Sequence, residues 1–391
     1  MILKTKKNFY NGNIVTWDIK SSKVEKYSVI ICDKLFDTSN NLLAENKNLK
    51  IKSRRLIFID NNFSTHFYQK VDNYFFNKKF DYKIVPLDIK EEDKNLESLN
   101  KILKFIDNFG IERRSEPIIV IGGGVLTDIV GFAASIYRRG IPYIKIATTL
   151  LCAIDSCVGV KTSINHFSRR NRLGTYFGPE KSYVDLSLLQ TLPEEEIAAS
   201  IGEIIKIATI KNKNLFNKVF LSSKNLLKPS FYKSKIGKEI IELSIHSMLE
   251  ELHNNLEEKN LKRSVDFGHT FSPVIEMRSL DDQSVQSLKH GEAVCLDVLL
   301  SSCISFQKGY LKKNELVKIF SLAKSVKMPL NHSFITNVDY LLESLLDATK
   351  HRNGSQNFPI PTKIGSYKFL NDIKIEDIRK AIKIYQGNTN D

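Results

Sequence analysis

Apolar runs and helical periodicities alternate along the first 185 residues, and long helical patterns take over afterwards. Leu56-Ile-Phe-Ile-Asp60 and Tyr82-Lys-Ile-Val-Pro-Leu87 read as strands, Tyr27–Cys32 as a further β segment and Asp37–Asn41 as a turn cluster. Ile118–Ile121 is a short apolar run closed by Gly122-Gly123-Gly124, which predicts a buried strand ending in a tight turn. From Val125 to Arg139 the apolar positions recur at helical spacing. Glu91-Glu-Asp-Lys94 opens a helix predicted to run to about Phe109, with Leu96, Leu99, Ile102, Leu103 and Phe105 on its apolar face. This alternation predicts an α/β layer with a largely parallel sheet. Beyond Tyr183-Val-Asp185, helices are predicted over roughly 194–210, 213–222, 236–254, 267–278, 290–307, 313–325 and 373–386. The chain therefore divides into an α/β domain, 1–185, and a mainly α-helical domain, 186–391, with the active site expected in the cleft between them. Residues 1 to about 50 read as a leader with strand patches and no evident chemistry.

Composition narrows the class. At 391 residues the chain can form two domains, each with its own core. Its 42% hydrophobic and 26% charged residues are those of a soluble globular protein. No apolar run approaches the ~18 residues of a membrane span, and the first residues lack the apolar segment of a secretory signal. Five cysteines form no C-x-x-C pair, which points to reduced thiols in the cytoplasm. The net charge of +14 comes from scattered lysines, often beside Asn, as in Lys211-Asn-Lys-Asn214. No basic motif is interleaved with aromatics, so nucleic acid and membrane are not expected partners, and the charge serves to attract an anionic substrate.

Two features carry chemistry on their own terms. Strand, glycine turn and helix is the geometry that brings backbone N–H groups up to a phosphate. The spacing departs from G-x-G-x-x-G, so taken alone the turn suits a packed helix equally well. Asp60, at a strand end, fits a ribose contact or a strand-end cap alike. Glu203, His269 and His290 each stand in a helical pattern, where such a residue alone is more often a surface or core group than a ligand. Together they are the Glu-His-His set expected of a catalytic zinc site with one open position. A closed structural site would more typically be built from cysteines.

The order of motifs settles the family. The glycine turn is followed by Thr148-Thr149, Asp155-Ser-Cys-Val-Gly-Val-Lys161-Thr-Ser-Ile-Asn165, Arg170-Asn171-Arg-Leu-Gly174 and Thr191-Leu-Pro193. Gly202-Glu203-Ile-Ile-Lys206, Asp266-Phe-Gly-His269-Thr-Phe-Ser-Pro273 and His290-Gly-Glu come next. Over roughly residues 55 to 375 this resembles the sugar phosphate cyclases, the superfamily of 3-dehydroquinate synthase, and within it the 2-epi-5-epi-valiolone synthase group.

The resemblance implies NAD and Zn²⁺, with Co²⁺ as a substitute, and a homodimer. It assigns Glu203, His269 and His290 to the metal. On the cofactor it places Gly122, Gly123, Gly124, Val125, Leu126, Thr127 and Asp128, with Asp60 at a ribose and Glu91 and Lys94 on the adenosine side. Thr148, Thr149, Lys161, Arg170, Leu188 and Thr191 complete that set. Lys161, Asn171 and an arginine near the His269 motif, Arg263, would grip the phosphate, and Asp155 and Lys206 would hold the polyol. Asn165, Arg172, Asp266 and His351 of the His351-Arg352 pair fall at further substrate-pocket positions.

The implied reaction is transient oxidation by NAD, β-elimination of phosphate, reduction, ring opening and intramolecular aldol closure. The rivals are 3-dehydroquinate synthase, desmethyl-4-deoxygadusol synthase, a 2-epi-valiolone-forming enzyme, a metal-dependent polyol dehydrogenase and a binding protein with a degenerate site. Asp266 stands where dehydroquinate synthases usually carry Asn, Pro273 where they carry His, and Met248 roughly where they carry Lys. An acid at 266 repels a substrate carboxylate, and proline donates no hydrogen bond. Sedoheptulose 7-phosphate, a neutral polyol apart from its phosphate, is therefore the expected substrate.

Overall fold

The computed structural model describes residues 2–9, 12–20, 25–44, 53–167 and 169–389. β1 (Ile2–Phe9) and β2 (Gly12–Ile19) form an antiparallel hairpin of their own within the stretch expected as a leader, part of which (45–52) lies outside the described residues. The core sheet has six strands, all parallel, in the order β3-β10-β7-β6-β4-β5. These are β3 (Ser28–Cys32), β4 (Arg54–Asp60), β5 (Asp81–Leu87), β6 (Ile118–Gly122), β7 (Tyr143–Ala147) and β10 (Lys181–Asp185). α1 (Asn61–Asn77) follows β4, α2 (Leu96–Phe109) precedes β6, and α3 (Gly124–Ile136) follows it. α4 (Leu150–Ile154) leaves β7 and leads to a twisted hairpin, β8 (Lys161–His166) and β9 (Arg169–Tyr176).

Every residue of β6 is buried, as a central parallel strand covered on both faces requires. The chain runs outward from β4 to β5, then returns to the other side of β4 as β6. The glycine turn closes β6 at this reversal, where open α/β sheets present their ligand crevice. α3 packs unusually close to β8: a Cβ on Gly131 would lie 2.6 Å from Thr162 Cγ2.

The second half is helical: α5 (Glu194–Lys211), α6 (Lys213–Leu221), α7 (Lys235–Leu252), α8 (Ser272–Asp281), α9 (His290–Gln307), α10 (Lys313–Ser325), α11 (Val338–His351) and α12 (Ile375–Thr389). A hairpin of β11 (Phe358–Lys363) and β12 (Ser366–Leu370) interrupts it. α9 is buried nearly all round and forms the axis of this half. Among the described residues no helix is long and apolar enough to cross a membrane.

Three local expectations are corrected. The helix expected from Glu91 is a single 3₁₀ turn, Glu91–Asp93, and α2 starts after Asn95. The Asn95 side chain accepts the N–H groups of Glu97 and Ser98, an N-cap worth about 1 kcal/mol that fixes the start there. Leu96 then sits exposed, and Ile106 takes its place on the buried face with Leu99 and Ile102. The helix expected from 267 begins at Ser272, because Gly268 (φ 77°) turns the chain out of helical geometry. α1, α11 and the hairpins β8–β9 and β11–β12 were not among the predicted elements.

Candidate active site

The metal cluster is built by a close helix crossing. A Cβ on Gly202 of α5 would sit 1.8 Å from the Gly291 carbonyl oxygen, and one on Gly291 of α9 would sit 1.7 Å from that of Ala199. Only paired glycines let these helices touch backbone to backbone. Glu203 and His290 adjoin those glycines and are thereby brought face to face. His269 arrives from the turn ahead of α8, not from a helix as its sequence context suggested. That turn is pinned by Asp297, fully buried on α9, whose Oδ2 accepts the N–H groups of Thr270 (2.9 Å), Phe271 (2.6 Å) and Ser272 (3.0 Å).

Ligand atoms of Glu203, His269 and His290 all lie within 4.8 Å of one another. Glu203 Oε1 is 3.5 Å from His269 Nε2 and 3.4 Å from His290 Nε2. Its carboxylate is buried, and neither oxygen takes a well-aligned hydrogen bond, although Lys206 Nζ lies 2.6 Å from Oε2. A buried, under-satisfied carboxylate facing two imidazole nitrogens fits a divalent cation.

Electrostatics favours that fit at Glu203 and His269, whereas His290 holds a proton that a metal ion would have to displace. Burial raises the Glu203 pKa, but Lys206 and the two imidazoles outweigh it and hold the carboxyl well below its usual range. Burial, with Lys206 beside it, keeps His269 well below the usual imidazole value, so its ring is neutral. Burial pulls His290 down too, yet the carboxylates of Glu276 and Glu203 raise it to about 10. Glu276 Oε2 lies 3.0 Å from His290 Nδ1, the outer carboxylate that orients a metal-binding histidine. The Phe267 carbonyl stands 3.5 Å from His269 Nδ1 in the corresponding place.

Around this cluster lie several of the expected polyol and phosphate residues. Asp155 ends α4, and burial together with the Glu203 charge holds its pKa above the usual carboxylate value. Lys161, exposed at the start of β8, pairs with Glu258, which also pairs with Arg263. Arg263 Nη2 is 2.5 Å from Asp266 Oδ1, and Arg352 Nε is 3.4 Å from Asp266 Oδ2. Asp266 is thus held between two guanidinium groups. Of the His351-Arg352 pair it is Arg352 that turns inward, to Asp266 and to Thr270 Oγ1 at 3.3 Å, whereas His351 is exposed. Arg172 stands exposed on β9.

The cofactor residues divide by what their side chains already do. Asp60 caps α1 through Phe63 N at 3.1 Å. Lys94 Nζ binds Asp128 Oδ2 (2.7 Å) and Asn171 Oδ1 (2.6 Å), joining α3 to the β8–β9 hairpin. Glu91 Oε1 accepts from Asn165 Nδ2 (2.8 Å) and Arg170 Nε (3.2 Å). Thr149 caps α4 through Cys152 N, Thr148 is buried at the end of β7, and Thr191 is exposed.

Two expectations change. The side chains of Leu126 and Thr127 are buried beneath the glycine turn, so only their backbone can face a ligand, while Val125 remains partly open. Leu188 is fully buried in the sheet core beside Ile57 and Ile121 and has no surface to offer. A Cβ on Gly123 would press on Thr149 Cγ2 at 3.2 Å, whereas one on Gly124 would reach Ser156 Oγ at 3.4 Å, close to an ordinary contact.

Glu276, Asp297 and Glu258 lie at the site without having been assigned to it from sequence, whereas Arg352 belongs to a pair the resemblance had already placed there. Asp297 could have been found, since an acid inside the apolar run Val294–Leu300 demands a partner. Glu276 and Glu258 carry no such flag.

Comparison with known proteins agrees with this geometry. The family signature described as 3-dehydroquinate synthase N-terminal matches residues 84–219, and the 3-dehydroquinate synthase C-terminal signature matches residues 200–351. A 2-epi-5-epi-valiolone synthase of Streptomyces albus is 38% identical over 97% of this chain and 92% of its own length. The 3-dehydroquinate synthase of Campylobacter concisus is 33% identical over 76% of this chain and 82% of its own. The structure of ValA, the 2-epi-5-epi-valiolone synthase of Streptomyces hygroscopicus subsp. jinggangensis 5008 with NAD⁺ and Zn²⁺ bound, superposes with a TM-score of 0.89. It is 34% identical and covers 95% of this chain and 99% of that one.

Proposed function

The chain belongs to the 3-dehydroquinate synthase-like family of sugar phosphate cyclases, and on that premise we propose that it converts sedoheptulose 7-phosphate to 2-epi-5-epi-valiolone with loss of phosphate. The observation that carries the reading is the convergence of Glu203, His269 and His290 beside Lys206 and Asp155. Zn²⁺ would supply an electrophile for substrate oxygens, and NAD⁺ a transient hydride acceptor regenerated each turnover.

Glu203, His269 and His290 would hold the metal, and the backbone of Gly122–Gly124 with the first turn of α3 would hold the cofactor pyrophosphate. Lys206 and Asp155 would orient the polyol hydroxyls next to the metal. Lys161, Arg263 and Asn171 would grip the phosphate through charge-assisted donors. Asp155, buried beside Glu203 and held above the usual carboxylate range, would accept a hydrogen bond from a substrate hydroxyl. The halves 1–185 and 186–391 would act as cofactor and metal domains of a cytoplasmic homodimer.

Substrate choice rests on Asp266, Pro273 and Met248. Asp266, set between Arg263 and Arg352, offsets part of their charge and presents a carboxylate that would repel a substrate carboxylate. Pro273 also serves the first turn of α8, where a missing N–H costs little. Met248 is buried in the helical core. Phosphate release is measured from sedoheptulose 7-phosphate and from the carboxylated substrate of dehydroquinate synthase, each with NAD⁺ and Zn²⁺. Turnover of the first, with valiolone-type product by NMR, is expected. Efficient turnover of the second and none of the first would overturn the reading.

A further inference from the structure

We propose that Arg170 couples the metal centre to the cofactor segment, so that the divalent ion and NAD⁺ bind with positive cooperativity. The inference rests on the reading above in taking both as ligands of this chain, with Glu91 and Lys94 on the cofactor, and not on the substrate.

Arg170 lies near the start of β9 with its side chain 17% exposed. Its Nη1 pairs with Glu276, the same carboxylate that receives His290 Nδ1, and both donors converge there with Nη1 and Nδ1 3.3 Å apart. At its other side Nε reaches Glu91 Oε1 at 3.2 Å. Glu91 in turn holds Asn165 Nδ2 at 2.8 Å, and Asn165 N donates to the Lys94 carbonyl at 2.7 Å. Lys94 Nζ binds Asp128 on α3, one turn beyond the glycine turn. One guanidinium therefore links a metal ligand, through one carboxylate, to the segment 91–94 through another.

The physical basis is preorganisation. A divalent ion takes the place of the proton on His290 Nε2 and holds the ring, with its Nδ1–H on Glu276, in one orientation. A fixed Glu276 fixes the planar guanidinium, whose fork can serve two carboxylates only in one orientation. Glu91, Asn165 and Lys94 are then ordered before the cofactor arrives, and the second ligand need not bear that ordering cost. Reciprocity requires NAD⁺ to raise metal affinity by the same factor.

The test measures NAD⁺ affinity by calorimetry on metal-free and Zn²⁺-loaded full-length protein, and Zn²⁺ affinity by chelator competition with and without NAD⁺. In the parent, loading with zinc should tighten NAD⁺ binding by about fivefold or more. In Arg170→Met that ratio should fall to about one, with Arg170→Lys intermediate. Glu276→Gln, which is remote from the cofactor segment, should lower the ratio as well and keeps the test valid if Arg170→Met does not fold. If Arg170 only touches the cofactor directly, Arg170→Met weakens NAD⁺ equally in both states and the ratio survives, which overturns the coupling. A parent ratio of one overturns it too. No NAD⁺ binding by the parent would overturn the cofactor reading along with it.

Discussion

The two halves of the site are built on opposite plans. The metal cluster is made of side chains from α5, α9 and the turn before α8, segments spread from Glu203 to His290 and held by a glycine–glycine helix crossing and the buried Asp297. The proposed cofactor side is one continuous strand, turn and helix, Ile118–Ile136, which would contribute mainly backbone. The first plan concentrates chemistry in a few irreplaceable groups that need exact support. The second spreads it over N–H groups that almost any side chain leaves in place, so it fails only when space is taken away.

This contrast can be broken in four places, in decreasing order of effect. His269→Ala removes a ligand whose loss no neighbour makes good. Phosphate release should fall by about 10³-fold or more, as losing several kcal/mol of metal-based stabilisation implies. Bound zinc, measured by atomic absorption, should fall with it while circular dichroism stays unchanged. Normal zinc content in this variant would remove the cluster from consideration.

Gly202→Ala tests whether the crossing is what assembles the ligands. The added methyl would lie 1.8 Å from a backbone oxygen that cannot step aside. Denaturant unfolding of the metal-free protein should show a loss of about 3 kcal/mol, the upper end for overpacking, accompanied by weaker zinc binding. A stability equal to the parent's would mean the helices separate freely and the crossing is incidental.

Asp297→Asn keeps the shape but removes the charge that holds Thr270, Phe271 and Ser272. A cost of about 1.5–3 kcal/mol is expected for hydrogen bonds to a charged group, together with zinc affinity lowered by about tenfold. Unchanged zinc affinity despite the stability loss would show that the His269 turn holds itself.

Gly124→Val addresses the backbone plan. Its Cβ would meet only Ser156 Oγ at 3.4 Å, so stability should stay within about 0.5 kcal/mol of the parent. NAD⁺ affinity should fall by about tenfold, equivalent to 1.4 kcal/mol. Binding as tight as the parent's would move the pyrophosphate away from the glycine turn.

Much of this could be read along the chain. β6, the glycine turn and α3 are local: apolar period, glycines and helix spacing sit within about twenty residues, and each residue's role follows from its neighbours. That Glu203, His269 and His290 belong together was legible for a different reason: taken singly each is an ordinary helical residue, and only the family motifs around them single them out. Folding decided what the unassigned polar groups do. That Arg352 rather than His351 turns inward, that Leu188 is core, that Lys94 spends its charge on Asp128 and that Glu276 backs His290 all depend on distances between segments far apart in sequence. A side chain's chemistry is a property of the residue, but its partner is a property of the packing, and burial makes that partner obligatory.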